Sequence, residues 1–392
     1  MGYRIGSFNI RKFSRFSAQQ NPDKITPKDI DNIGKILREG NFDIIAIQEI
    51  LHKEALRELL ERISLQYAEE YKGDPTRYNS TIDTYRASSR TKEVYGFRTK
   101  HWEGRWAKPD SSYGDKIAEG YAFIWNRDRI KLSKNSKGET FEPRISDFNG
   151  SNKLVRPPFL GRFMPINGSY EFRLINTHIV YATPSKKIDE NDDTGRDESE
   201  SEVDFTDKEL RQNEMNTLIE NIYKSYSVAR YDVTGHDMYA RPIPAYTFML
   251  GDYNLNLGKS GSSSARIEEL EELSIYINGN QWRPGISEHI VTVGDSLTTV
   301  KSKPKDDEKK RYLRQDPDVW NHLVNNYDHF SYDRNIMIDH GIADPSVGAF
   351  YNVFDLYEKK ETDEDSKFDL YRDRVSDHIP IYLDMDVRKH RL

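Results

Sequence analysis

The stretch Ser376-Asp377-His378-Ile379-Pro380-Ile381-Tyr382-Leu383 sets an acid and an imidazole side by side at the edge of an apolar alternation. Alternation with a period of two is the signature of a strand with one buried face, so the pair stands at a strand end. An aspartate can hold a hard cation, and a histidine can accept a proton at neutral pH. Those are two halves of a phosphoester hydrolysis, and the rest of the chain is read for the others.

Working outward, several runs have strand character: Tyr3 to Asn9, Phe42 to Ile47, Tyr121 to Trp125, Phe172 to Thr177, Tyr246 to Leu250 and Ile381 to Met385. Helical patterns lie between them. Thr26-Pro27 opens one, with Thr26 as N-cap, Ile30, Ile33, Ile36 and Leu37 as its apolar stripe, and Gly40 as its stop. Leu56, Leu59, Leu60 and Ile63 form the face of a second. Thr206-Asp207-Lys208-Glu209 is a capping box ahead of Leu210, Met215, Leu218, Ile219 and Ile222, and Ser264 to Ser274 reads as another helix. The strands do not alternate with helices as regular βαβ units. The pattern predicts an α/β (α+β) chain with sheets packed on each other and helices outside.

The chain of 392 residues is read as one domain, residues 1–392, with inserted loops near 72–118, 182–207 and 300–326. It has no cysteine, which excludes disulfides and thiolate metal sites. Apolar stretches are too short to span a bilayer, and no signal peptide is visible, so a cytoplasmic protein without membrane association is expected. The net charge of −7 argues against nucleic-acid binding by bulk charge; any such contact needs a local basic patch. The segment Lys72 to Lys116 interleaves Arg98, Lys100 and Arg105 with Tyr95, Trp102 and Trp106, and can grip phosphates and stack on bases. A solvated basic loop with core-packing aromatics is the competing reading.

Polar residues close the strands: Asn9, Gln48-Glu49, Glu119 ahead of Tyr121, His178, Asp252 with Asn254, and Asp377-His378. Each alone is an ordinary turn or cap residue. Six in one chain point to a shared site. Oxygen ligands without cysteine suit Mg²⁺ or Mn²⁺, and Asn9, Glu49 and Asp377 are the expected ligands. His378 would orient or deprotonate water, and Asp328 in Asn326-Tyr327-Asp328-His329 is a candidate to hold its ring.

The ordered set Phe8-Asn9, Ile44-Ile45-Ala46-Ile47-Gln48-Glu49, Asn176-Thr177-His178, Gly251-Asp252-Tyr253-Asn254 and Ser376-Asp377-His378 resembles the endonuclease/exonuclease/phosphatase (DNase I-like) superfamily. The resemblance runs from residue 3 to residue 386. It implies a four-layer sandwich of two facing mixed β-sheets flanked by helices, with the site at one end. It also implies a metal at Asn9, Glu49 and Asp377, and a pair, Asp252 and Asn254, that positions water and phosphate. His378 with Asp328 becomes the catalytic dyad and His178 a second active-site histidine. Glu119 matches the acid that pairs with His178, and Arg156 a phosphate-contacting arginine. The expected activity is a Mg²⁺- or Mn²⁺-dependent DNA endonuclease, with DNA preferred over RNA. The rival activities are a phosphatase or phosphodiesterase on a small molecule or lipid headgroup, and a non-catalytic binding module.

Overall fold

The computed structural model describes residues 2–14, 28–70, 85–88, 93–109, 119–134, 137–148, 154–166, 170–180, 205–228, 245–255, 275–277, 280–282, 290–294, 296–300, 323, 326–339, 345–357 and 364–386. The expected N-cap Thr26 and the expected helix from Ser264 to Ser274 lie outside them.

Two mixed sheets carry the fold. The first runs in the order β16 (Ser346–Ala349), β17 (Ile381–Asp386), β1 (Gly2–Phe13), β2 (Ile44–Ile50), β6 (Tyr121–Asn126), β5 (Trp102–Ala107), β4 (Glu93–Arg98) and β3 (Tyr85–Ser88). The second runs β14 (Ile290–Val293), β15 (Asp328–Asp333), β11 (Ala245–Asp252), β10 (Glu171–His178), β9 (Phe159–Pro165) and β7 (Ile130–Leu132), with β8 (Arg144–Ile145) also paired to β9. A hairpin of β12 (Ile275–Ile277) and β13 (Asn280–Trp282) stands apart. Pairing is parallel in β1–β2 and β10–β11 and antiparallel in the other pairs.

Period-two alternation sorts the side chains into layers. Between the sheets, Ile5, Ile44, Ala46, Phe123 and Leu383 of the first meet Phe172, Leu174, Phe248, Leu250 and Phe330 of the second in one buried cluster. The alternate residues Phe8, Ile45, Ile47 and Ile124 face α1 (Ile30–Glu39), α2 (Lys53–Glu70) and α6 (Glu364–Arg374), through Ile33, Ile36, Leu56, Leu59 and Tyr371. Ile175 and Met249 on the other outer face pack on Met215, Leu218, Ile219 and Ile222, from α3 (Phe205–Thr217) and the π-helical turn Leu218–Tyr223 that continues it into α4 (Lys224–Val228). The remaining helix, α5 (Arg334–Asp339), follows β15. The result is a four-layer sandwich, the architecture the resemblance implies.

Two local expectations change. Helix α1 starts at Ile30, and Asp29 is its N-cap, accepting from the Asn32 amide at 3.0 Å. The stretch around 72–118, read as an inserted loop, contains β3, β4 and β5, which extend the first sheet. Their Trp102 and Trp106 pack toward α2 as core, so the aromatics that suggested base stacking serve the sheet.

Candidate active site

The same alternation that builds the core delivers polar residues to one end of it. Along β1, Tyr3, Ile5, Ser7 and Asn9 share a face; along β2, Ile44, Ala46 and Gln48; along β10, Phe172, Leu174, Asn176 and His178; along β11, Phe248, Leu250 and Asp252. Strand pairing sets Asn9 beside Gln48 and His178 beside Asp252. Each inner column therefore runs from apolar to polar toward the same edge. A polar floor closes the core there: Gln48 Nε2 donates across the sheets to Asn176 Oδ1 at 2.7 Å, and Asn176 Nδ2 donates to the carbonyls of Ile47 and Ala122.

Above that floor, Asp252 is nearly inaccessible, 1% exposed. Its Oδ2 accepts from Asn9 Nδ2 at 3.0 Å and lies 3.5 Å from His378 Nε2 and 3.6 Å from His178 Nε2. Each histidine is backed at its other nitrogen by a buried acid. His378 Nδ1 is 2.7 Å from Asp328 Oδ2, and His178 Nδ1 is 3.0 Å from Glu119 Oε2. Arg156 Nη2 reaches the other oxygen of Glu119 at 3.1 Å. Two imidazoles, one from each sheet, thus aim at one carboxylate oxygen.

Local backbone chemistry explains the placements. Gly251 takes φ +145, where a side chain would meet the Thr177 carbonyl oxygen at 1.8 Å; only glycine lets β11 run this close to β10 ahead of Asp252. Asn254 takes φ +50, a conformation asparagine tolerates, and its amide donates to the Ile179 carbonyl at 2.7 Å. Glu49 takes φ +61, an uncommon position for a glutamate, held by Asn9 Nδ2 to Oε1 at 2.8 Å and the Lys12 N–H to Oε2 at 2.9 Å. That Lys12 amide is available because β1 bulges between Asn9 and Phe13. Ser376 fixes the acid–histidine turn: its hydroxyl donates to the Asn9 carbonyl at 2.6 Å and accepts from the His378 N–H at 3.0 Å. Tyr371 donates to the His378 carbonyl at 2.7 Å.

The charges are strained. Burial pushes the Glu49 carboxyl up, and nearby Glu119 adds to it. Burial also raises Asp252, against the two histidines. For Glu119 burial acts upward, but Arg156 and His178 outweigh it and hold the carboxyl low. Burial lowers the His378 imidazole, yet Asp328 and Asp252 overcome this and lift it well above the usual value. His178 is lowered by burial and Arg156, but Glu119 and Asp252 raise it on balance. Burial would raise Asp377; Arg11, His378 and Lys28 bring it down.

A hard cation suits this donor set. Ligand atoms of Glu49, Glu119 and His178 lie within 4.8 Å of one another, and Asp377 Oδ1 is buried with no hydrogen-bond partner among the described residues. Of the expected ligands, Glu49 belongs to this group. Asn9 spends both ends of its amide on the protein, because its Oδ1 accepts from the Arg11 N–H at 3.0 Å. Asp377 stands 3.9 Å from His378 Nε2 and 3.5 Å from Arg11 Nε.

Asn9, Glu49, Glu119, Arg156, His178, Asp252, Asn254, Asp328, Asp377 and His378 converge. Arg98, Lys100 and Arg105 do not. Arg105 is 1% exposed and clamped by Glu103 at 2.9 Å and Glu142 at 2.7 Å; Arg98 pairs with Glu103 at 2.8 Å. Lys100 sits in the turn before Trp102, which pairs with Asn126 at the far end of β6 from Glu119. At about 3.4 Å per residue that separation along β6 is roughly 17 Å. Their expected role as a substrate groove is corrected accordingly: the aromatic-basic pattern is a strand with internal ion pairs. Sequence reasoning also passed over the Gln48–Asn176 bridge and Glu214. The latter was legible as an acid set among apolar positions, since Leu210, Glu214 and Leu218 are four apart.

No family model matches the sequence, and no curated protein matches it. Solved structures similar to the chain include an endonuclease/exonuclease/phosphatase family protein from Bacteroides thetaiotaomicron, 13% identical, with a TM-score of 0.45 and coverage of 98% of this chain and 97% of that one. A mannosyl-6-phosphatase of the same organism is 12% identical, with a TM-score of 0.42 and coverage of 98% and 99%. Truncated Caenorhabditis elegans TDP2 is 12% identical, with a TM-score of 0.40 and coverage of 98% of each chain.

Proposed function

We propose that the chain is a metal-dependent phosphodiester hydrolase, with DNA as the first substrate class and endonucleolytic cleavage as the mode. The observation that carries this reading is the pair of histidines, each backed by a buried acid, converging on Asp252 Oδ2 from opposite sheets.

Phosphoester hydrolysis needs a base on the water side and an acid on the leaving-group side of phosphorus. Two imidazoles facing each other across one carboxylate supply both. Asp328 holds His378 with Nε2 directed at the site; the acids around it favour the imidazolium, and once that proton is shed Nε2 takes the proton from an attacking water. Asp252, fixed by Asn9 and by the Asn254 N–H at 2.9 Å, orients that water. Glu119 Oε2 stands 3.0 Å from Nδ1 of His178, which leaves Nε2 to give a proton to the departing oxygen. Arg156, pinned by Glu119, presents its guanidinium to a phosphoryl oxygen. Glu49 with Asp377 would hold Mg²⁺ or Mn²⁺, whose chemistry when bound is to neutralise charge on the phosphoryl oxygens.

A second reading, hydrolysis of a small phosphorylated molecule, is favoured by the neutralised state of Arg98 and Arg105. Cleavage of circular DNA, linear DNA, RNA and small phosphoesters, compared with and without divalent cation, separates the two. Nicking of circular DNA is expected. Turnover of small phosphoesters alone would move the assignment to the second reading, and no turnover of any substrate would remove both.

A further inference from the structure

Helix α3 buries a carboxylate on a face it shares with leucines. Leu210, Glu214 and Leu218 share one face of the helical run. Glu214 is buried, 4% exposed, and Val155, Val180 and Leu210 form a small apolar cluster beside it. An acid in such surroundings is costly unless it satisfies groups that have no other partner. Glu214 Oε1 accepts from the Val155 N–H at 2.5 Å, and Oε2 accepts from the Val180 N–H at 3.3 Å. Both amides lie in irregular segments outside the sheet ladders, and each flanks a site residue. Val155 is bonded directly to Arg156, and Val180 follows His178 by two residues.

The side chains close the same circuit from the other side. Arg156 reaches Glu119 at 3.1 Å, and Glu119 reaches His178 at 3.0 Å. We infer that Glu214 is the positioning residue of the Arg156–Glu119–His178 arm, setting the guanidinium and the imidazole at a fixed separation by binding the two backbone segments that carry them. The inference rests on the hydrolytic reading above and extends it to a residue that touches neither substrate nor metal. One carboxylate does this because it has two acceptor oxygens. An amide has one, so Glu214→Gln leaves one of the two N–H groups without a partner.

The test is a double-mutant cycle with Arg156→Ala, on the substrate that wild type turns over best. Glu214→Gln is expected to lower kcat about 10- to 100-fold, the scale of an ångström-size misplacement, while the protein still folds. In the Arg156→Ala background the same substitution should cost less than about threefold, because coupled positions are non-additive. Full additivity, or wild-type activity in Glu214→Gln, overturns the inference. If Glu214→Gln does not fold, Glu214→Asp, which keeps the charge but shortens the reach, is expected to show the same non-additivity. Nuclear magnetic resonance of the Gln variant gives a readout independent of turnover. Amide protection at Val155 or Val180 should fall and the His178 ring signals should shift, with those of His378 unchanged. If wild type hydrolyses nothing, the hydrolytic reading fails and this measurement decides the positioning role alone. Unmoved His178 ring signals would refute it.

Discussion

The two ends of the sandwich both carry charge, and they arrange it in opposite ways. At the end away from the candidate site, among the described residues, several charges have an opposite at bonding distance. Arg4 binds both oxygens of Asp384, at 2.7 and 2.8 Å, while Arg129 binds Asp43 at 2.6 Å and the Gly2 carbonyl at 2.6 Å. Toward the same end, Arg98 and Arg127 share Glu103 with mid-strand Arg105. At the site end the acids crowd each other. Glu49 is raised by burial and by Glu119, and Asp252 by burial and by Asp328. The histidine Nε2 atoms stand 3.5 to 3.9 Å from their nearest carboxylates, beyond good hydrogen-bond length. Paired charge holds a structure in place. Crowded like charge costs stability, and such an arrangement marks a place kept for a reaction.

Substitutions should therefore act in opposite senses at the two ends. The largest effect belongs to the site: Asp252→Asn or His378→Ala should lower phosphoester hydrolysis by about 10²- to 10⁴-fold. Asp252→Asn removes one crowded acid but leaves the Asn9 amide or the Asn254 N–H without its acceptor, so the thermal midpoint should stay close to that of wild type; steady-state kinetics and calorimetry check both halves. Next comes Arg105→Ala. It leaves Glu103 and Glu142 short of a buried partner and should cost about 3 kcal/mol or more in denaturant unfolding, with KM unchanged. A raised KM would return Arg105 to the substrate groove.

The third effect is a pH dependence. His329 is fully buried beside the Asn254 loop, its Nε2 bonded to the Leu255 carbonyl at 2.8 Å, and burial lowers its imidazole to about 4. It stays neutral in the fold while the unfolded chain takes up a proton. Its contribution is therefore complete above pH ~6.5, the unfolded value, and is lost as the pH falls toward 4, up to about 3 kcal/mol by that point. His329→Phe should flatten the acid limb of the stability profile between those values; an unchanged limb would assign it to other groups. The smallest effect is Asp384→Ala at the far end, which breaks a part-exposed pair and should cost no more than about 1 kcal/mol, with activity unchanged.

The sequence is most legible where its logic is local. Alternation in Tyr3 to Asn9 or Tyr246 to Asp252 marks both a strand and the face its last polar residue shares, so Asn9, Asp252 and His178 could be gathered before any coordinates. Asp328 and His378 were likewise placed together. What failed to show was pairing at a distance. Nothing beside Arg105 reveals that Glu142, 37 residues on, neutralises it across a strand crossing, so a row of core and edge residues read as a basic groove. Glu214 carried a local mark, an acid on an apolar stripe. Its partners, though, are backbone amides in two separate segments, and backbone donors leave no trace in residue type. Asn9 shows the same limit at the site, since its amide turns inward to the bulge that follows it.

The central claim is that His378 and His178 act on opposite oxygens of a phosphoester. Hydrolysis of two substrates differing only in leaving group, an alkoxide and a nitrophenolate, by wild type, His378→Ala and His178→Ala tests it most directly. A nitrophenolate departs without a proton, so the loss in His178→Ala should shrink from about 10²-fold or more on the alkoxide ester to a few-fold. The loss in His378→Ala should be equally large on both. Equal losses for the two variants on both substrates, or no loss in either, would contradict it.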